Sequence, residues 1–424
     1  MLLIYLSLVF IRFSSQFQAE GNLRRLEDKQ IKLKGKVSSE PILQGSSQRF
    51  RMGKIRIKTK QYPRYRYGEN VQVVGTLQRK AINRWYSQFS LIYPSVELIK
   101  ADRVKFIGFD WKEAVMRFRK RIEMVFNRNL SEPEASLLAG IVLGSKRGLG
   151  NDFWQALQRT GTLHIVVASG YNVTVVIGVV ISYLAGLFKR RTAVMLGIMS
   201  VIGYTVMAGA EAAIVRAAIM GSLAYFGQVL GRKADGVRML LAAIMVMLLV
   251  EPYLIFDVGF QLSVMATAGL MFVGPILGKV FNRIWVIGGD IRDTVSAQIA
   301  VWPILLIVFG NLSVFAVLVN SLILFWVPIV MGLGAILGLA GLIFGQGLMG
   351  TVLGQVIGGL VYAPLTLMVK IIEGFGNKEW MSLVVEDVSW WWGLGYYLVL
   401  VIVIVLLNRR EKVGLTGGDL ELRS

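Results

Sequence analysis

The sequence predicts a polytopic α-helical membrane protein of about nine spans behind a small N-terminal all-β domain. Three observations carry this reading. The 424 residues are 55% hydrophobic with a mean hydropathy of +0.59, which excludes a soluble globular chain. Residues 164–408 are mostly apolar runs broken by short charged loops, and a span needs about 20 apolar residues to cross a hydrocarbon core roughly 30 Å thick. The formal charge of +20 is concentrated: residues 17–128 hold 26 Lys and Arg against 10 Asp and Glu, a net +16. Basic flanks anchor chains to anionic lipid, but a basic field of domain size also recruits polyanions. With no cysteine in the chain, disulfides, thiol nucleophiles and thiolate metal sites are excluded.

Residues 1–16 begin MLLIYLSLVFIRF, too short for a full span and without the basic leading region of a signal peptide; they predict a short hydrophobic anchor. Residues 17–108 predict the β domain. KLKGKV, RFRMGKIRIKTK, NVQVVGTLQRK and FSLIYPSVELIK alternate and are separated by Gly, Pro, Ser and Asn. Four or five short strands in this length suit a small barrel of OB-like type. In RFRMGKIRIKTK the alternation slips at Gly53, where a β-bulge is expected. Phe50, Met52, Ile55 and Ile57 then face the core, while Arg49, Arg51, Lys54, Arg56, Lys58 and Lys60 share the other face. QYPRYRYGEN follows, interleaving Tyr62, Tyr65 and Tyr67 with Arg64 and Arg66. Cations for phosphates beside aromatics for bases suit sequence-blind single-strand binding; an ordinary solvated strand face is the alternative.

Residues 109–160 predict amphipathic and interfacial helices. In DWKEAVMRFRKRIEMVF, Trp111, Val115, Phe118, Ile122 and Val125 form an apolar stripe, with Arg117, Arg119, Lys120 and Arg121 mainly away from it. A plain packing helix is the competing reading. Spans are expected near 164–187, 192–208, 213–230, 238–251, 258–278, 295–310, 314–332, 348–371 and 390–408, with 333–347 re-entrant or a loop. These divide into a transmembrane domain over 161–345, C-terminal transmembrane helices over 346–410 and a cytoplasmic tail over 411–424. With the β domain outside, KRR at 189–191, GRK at 231–233 with Arg238, Lys279 with Arg283, and NRREK at 408–412 all fall inside, as the positive-inside rule requires.

TGTLHIVVASGYNV, residues 160–173, holds the single histidine. His164 and Ser169, five apart on a helix, lie about 140° around it, too far for the roughly 3 Å contact a general base needs. One His and no Cys leave little for a zinc site. Polar residues in lipid usually face a bundle interior or a wet cavity. Further islands place Glu211 and Arg216 in GAEAAIVRAA, Asp257, Gln261 and Ser263 in DVGFQLS, and Asn320 mid-span. Taken singly each suits interhelical hydrogen bonding; recurring in separate helices, they suit a shared polar interior. No catalytic residue, metal or cofactor is expected.

GIVLGSKRGLGNDFWQALQRTGTLHIVVASGYNV, AAIVRAAIM, GRKADGVRMLLAA, EPYLIFDVGFQLSVMATAG and GNLSVFAVLVNSLILFWVPIV together resemble the competence domain of ComEC-type DNA-uptake proteins, in order from about residue 130 to 345. The β domain is similar to that family's extracellular OB-like domain. The resemblance implies a cell-membrane channel passing transforming DNA inward as a single strand, with Lys54, Arg56, Lys58, Lys60, Arg64 and Arg66 capturing phosphates. His164, Ser169, Asn172, Glu211, Arg216, Gln261, Ser263 and Asn320 would line or brace the passage. Two departures stand out. Asn172 occupies the place where the family often has a second histidine after SG, and Asn hydrogen-bonds without titrating. The chain carries no HxHxDH motif of the family's metallo-β-lactamase-like domain, so the degrading nuclease is expected to be a separate protein. With no GxxxxGK[ST], a cytoplasmic ATPase is expected to be separate too, alongside a DNA receptor. The competing functions are a permease for a smaller anionic solute, bound between broken helices, and an envelope scaffold.

Overall fold

The computed structural model describes residues 2–421 apart from 40, 45–46, 54, 66, 82–86, 99–110, 146–147, 167–168, 282–287, 314, 346, 379–381 and 386–387. Lys54, Arg66 and Arg283 therefore lie outside the described residues. The expected anchor over 1–16 is the first part of a longer helix, α1 (Leu2–Arg24).

Strands follow where the sequence alternates: β1 (Gln30–Lys36), β2 (Ile42–Gln44), β3 (Ser47–Met52), β4 (Ile55–Lys60), β5 (Asn70–Ala81), β6 (Ser87–Ile92) and β7 (Ser95–Leu98). They form one sheet in the order β1-β5-β6-β4-β3-β2, with β7 also on β5. β4 and β6 are parallel; the other pairs are antiparallel. Beyond the end of β1, the Ser38 amide donates to the Arg51 carbonyl across 2.8 Å, which curls the sheet back on itself. Phe50, Met52, Ile55 and Ile57 are buried, as the alternation requires, with Val71, Val73, Leu77, Phe89 and Leu91 completing the core.

The bulge expected at Gly53 is instead a hairpin reversal. Met52 pairs with Ile55, leaving two residues to connect the strands, and Gly53 takes a φ of +59°, the left-handed conformation that such short connections demand. A two-residue reversal keeps Met52 and Ile55 on one face, so it produces the same phase slip as a bulge. The consequence is that the basic residues occupy two paired strands rather than one bent strand.

The remainder is helical: α2 (Trp111–Asn129), α3 (Glu134–Leu143), α4 (Asn151–Arg159), α5 (Leu163–Val166), α6 (Gly170–Leu187), α7 (Arg190–Met207), α8 (Ala212–Val229), α9 (Gly236–Val250), a 3-10 turn (Pro252–Phe256) and α10 (Val258–Phe272). Then come α11 (Gly274–Phe281), α12 (Gly288–Phe309), α13 (Ala316–Leu324), α14 (Val327–Phe344), α15 (Leu348–Gly376) and α16 (Trp390–Glu421). A short strand pair, β8 (Asn311–Ser313) with β9 (Ser382–Val384), joins two loops. Among the described residues six stretches are long and apolar enough to cross a membrane, and α9 and α10 are shorter apolar helices. The chain is a multi-pass helical membrane protein with an N-terminal β domain.

Two expectations are revised. The break expected over 333–347 falls earlier, at Phe325–Trp326 between α13 and α14; Pro328 sits in the first turn of α14, where its missing N–H costs nothing. The segment expected to be amphipathic packs one face against the bundle and leaves Arg117, Lys120 and Arg121 exposed on the other. Gly334 meets Leu138 and Val142, and Gly338 meets Ile122 and Phe126, so glycines on α14 let α2 and α3 approach closely. On α2 the buried face is rotated from the expected stripe: Phe118 is 44% exposed while Arg119 is 5% exposed. Arg119 is tolerated inside because Glu123, one turn on, pairs with it at 3.2 Å and the Met207 carbonyl accepts from it at 2.9 Å. A buried cation needs such partners.

Candidate functional site

The hairpin register turns the basic face into a ladder. Arg49 lies opposite Lys58, Arg51 opposite Arg56, and Ser47 opposite Lys60. Arg49, Arg51, Arg56 and Lys60 are exposed and Lys58 half-buried. Like charges thus stand directly opposite one another, which concentrates positive field on this face.

Beside the ladder stand two exposed tyrosines. Arg64 lies over the Tyr62 ring at 5.3 Å, and Lys58 over the Tyr93 ring at 5.3 Å. Gln48, buried at 1% exposure, holds the Tyr62–Arg64 segment in place. Its amide donates to the Lys60 carbonyl at 2.8 Å and its oxygen accepts from the Tyr65 amide at 3.2 Å. Tyr65 itself belongs to the core, its hydroxyl donating to the Val96 carbonyl at 2.9 Å. Burial, then the charge of Glu69, pushes its phenol pKa up. Tyr93 escaped the sequence reading because its partner, Lys58, is 35 residues away and meets it only through the parallel β4–β6 pairing, where the Tyr93 amide donates to the Lys58 carbonyl.

In the bundle, the stretch holding the histidine is not one helix. α5 ends at Val166 and α6 begins at Gly170 with Ser169 as its N-cap. Ser169 Oγ donates to Asn172 Oδ1 at 3.1 Å and accepts from the Asn172 amide. Asn172, with no exposed surface, donates its side-chain amide to the Ile141 carbonyl at 3.0 Å. That carbonyl lies in the last turn of α3, where helix carbonyls lack intrahelical partners. Ser169 and Asn172 therefore brace α6 against α3. Tyr204, a buried residue of α7, has a hydroxyl without a hydrogen-bond partner among the described residues.

Arg216 of α8 draws three helices together. Its Nη1 donates to the Ser263 carbonyl of α10. A Cβ added at Gly170 would lie 3.1 Å from its Nη2, so the glycine makes room for the guanidinium at the start of α6. The Nε of Arg216 and the Oγ of Ser263 are buried without hydrogen-bond partners among the described residues.

The other expected residues make different contacts. His164 Nδ1 contacts the Gly161 carbonyl at 2.8 Å and the ring is exposed. Gln261 donates to the Ile255 carbonyl at 2.8 Å, tying α10 to the 3-10 turn. Asp257 caps α10 by accepting from the Phe260 amide. Glu211 stands at the N-cap position of α8 without a side-chain cap bond. Asn320 is buried in α13 at 1% exposure, its Oδ1 unpartnered among the described residues. Among the described residues no three His, Cys, Asp or Glu side chains gather as a metal set.

The polar junction and the attachment of α1 lie at one end of the bundle. Arg190, at the start of α7, donates to Gln228 near the end of α8 across 3.4 Å, so the KRR and GRK clusters share one end of the bundle. Gly170, Arg216 and Ser263 meet at the opposite end. α1 joins this second end, with Arg12 donating to the Val250 carbonyl at 3.1 Å, and α1 leads directly into β1.

Comparison with known proteins identifies the family. A family model described as "Competence protein" matches residues 141–410, more than half of the chain. ComE operon protein 3 of Bacillus subtilis (strain 168) is 25% identical over 221 residues, covering 50% of this chain and 27% of that protein. The match thus spans about a quarter of the relative's own length. No solved structure matches.

Proposed function

Because the chain belongs to the competence protein family, we propose that it is a membrane channel for uptake of single-stranded transforming DNA. The observation that carries the proposal is the cation ladder in which Arg49 stands opposite Lys58 and Arg51 opposite Arg56, with Lys60 at its end. A sheet that sets Arg opposite Lys and Arg opposite Arg concentrates cations on one face, as binding of a polyphosphate requires. Tyr62 and Tyr93, exposed at the ladder's margin, offer faces on which unpaired bases stack. The sheet's strand order, with its single parallel pair, supports the OB-like reading.

The strand would pass from this face to the polar end of the bundle, where α1 joins the β domain to it. Arg216 there supplies positive charge, while Ser169 and Asn172 keep the helices around it in register. The β domain is outside and the C-terminus cytoplasmic in this proposal, because the KRR and GRK clusters sit at the end away from the β domain. The chain is assigned no covalent chemistry; a DNA receptor, a nuclease activity and a cytoplasmic ATPase act with it.

One observation favours a second reading. The interruption between α5 and α6, with Arg216 beside the first turn of α6, suits a small anionic solute at a broken helix. The full chain in nanodiscs separates the two. Single-stranded DNA should bind with steep salt dependence, and replacing the five ladder cations with Gln should weaken binding more than tenfold and lower the salt slope by about 0.7 per cation. Unchanged DNA affinity in that variant, with inorganic phosphate competing fully at the Arg216 site, would favour the solute permease.

A further inference from the structure

We propose that Arg12 is the positioning residue that fixes the β domain over the corner between α9 and α10. The inference rests on the DNA-uptake reading for its functional consequence, but its structural content stands separately.

α1 is a continuous helix from Leu2 to Arg24 that touches both halves of the molecule. In its first half, Tyr5 Oη donates to the Met245 carbonyl at 3.0 Å, Arg12 to the Val250 carbonyl at 3.1 Å, and Phe13 packs edge-on against Tyr253 with centroids 5.1 Å apart. Val250 is the last residue of α9, so its carbonyl belongs to the unsatisfied, negative end of that helix. A guanidinium from another helix supplies the missing donor and the matching charge. At the other end of α1, Leu23 packs against the β-domain core. Just beyond, the Asp28 amide donates to the Leu77 carbonyl and the Leu77 amide to the Lys29 carbonyl, and Glu27 pairs with Arg79 at 3.3 Å.

From Arg12 to Arg24 the helix rises about 18 Å, without a break that would act as a hinge. The Arg12–Val250 contact therefore sets where the β domain stands. The corner it grips is the 3-10 turn whose Ile255 carbonyl holds Gln261, and α10 then carries Ser263 to Arg216. Arg12 thus aligns the capturing face with the polar junction, and its loss separates capture from delivery.

The chain has no cysteine, so spin labels at Glu97→Cys and Lys233→Cys report the distance between the β domain and the far end of the bundle in the full-length protein. A narrow distribution is expected, broadened by Arg12→Leu and restored by Arg12→Lys, which keeps a cationic donor. In cells, Arg12→Leu should hold surface-bound DNA within twofold of the parent while nuclease-protected DNA falls about tenfold per inserted molecule. Should Arg12→Leu fail to insert, Arg12→Gln carries the same expectation. A distribution as narrow in the variant as in the parent overturns the proposal, and so does a broadened one with unchanged internalisation. If the parent neither binds nor internalises DNA, the uptake reading fails, while the distance measurement still decides the role of Arg12.

Discussion

Asn172 donates its side-chain amide to the carbonyl of Ile141, 3.0 Å away, and so ties the first turn of α6 to the last turn of α3. Removing the donor leaves a buried carbonyl unpaired at a cost of about 1–3 kcal/mol. Asn172→Leu should lower the amount of folded protein in the membrane and its melting temperature, with uptake falling in proportion. Uptake lost at normal abundance and normal melting temperature would mean that Asn172 contacts the cargo instead.

Ser169 caps α6 and donates to Asn172, so Ser169→Ala should cost about 1 kcal/mol and leave uptake per folded molecule within a few-fold. Ser169→Leu sets a bulky apolar group beside Gly170 and Arg216 and should abolish uptake. A null Ser169→Ala at wild-type abundance would reopen nucleophilic catalysis.

The competence-type domain was legible because lipid imposes a single rule: intramembrane polar groups must meet each other. That rule singled out eight residues, of which Ser169, Asn172, Arg216 and Ser263 are linked near the start of α6, while His164, Glu211, Gln261 and Asn320 make other contacts or none of these. It did not separate bracing from lining, since Asn172 suits either until the Ile141 carbonyl is seen beside it. Tyr93 was invisible because parallel pairing across a loop leaves no local pattern. Arg119 looked solvent-facing because periodicity registers hydrophobicity and not a pairing four residues on. The Gly53 hairpin was mistaken for a bulge because both shift the alternation by one.

Close helix approach at glycines gives a test of the bundle. A Cβ at Gly269 would collide with the Ser296 backbone carbonyl of α12, which cannot rotate away. Gly269→Ala should therefore cost about 1–3 kcal/mol and lower the melting temperature in detergent. Gly203 has nothing within 4 Å of that position, so Gly203→Ala should leave melting unchanged or raise it. Equal effects at both sites would contradict the α10–α12 packing.

The proposed orientation rests on the charge clusters. A reporter fused after Lys60 should register outside the cell, and reporters after Gly231 or Arg410 inside. Lys60 inside would reverse the proposed direction of transport.

The most direct test of the central claim is nuclease-protected, strand-labelled DNA in cells, normalised to membrane-inserted protein. The comparison is between the parent chain and one with Arg49, Arg51, Arg56, Lys58 and Lys60 replaced by Gln. The account predicts that the parent internalises one strand of a labelled duplex and that the variant, inserted at equal abundance, internalises at least tenfold less. Protected DNA at parental levels in the variant would contradict capture by the ladder, and no protected DNA in the parent would contradict the channel itself.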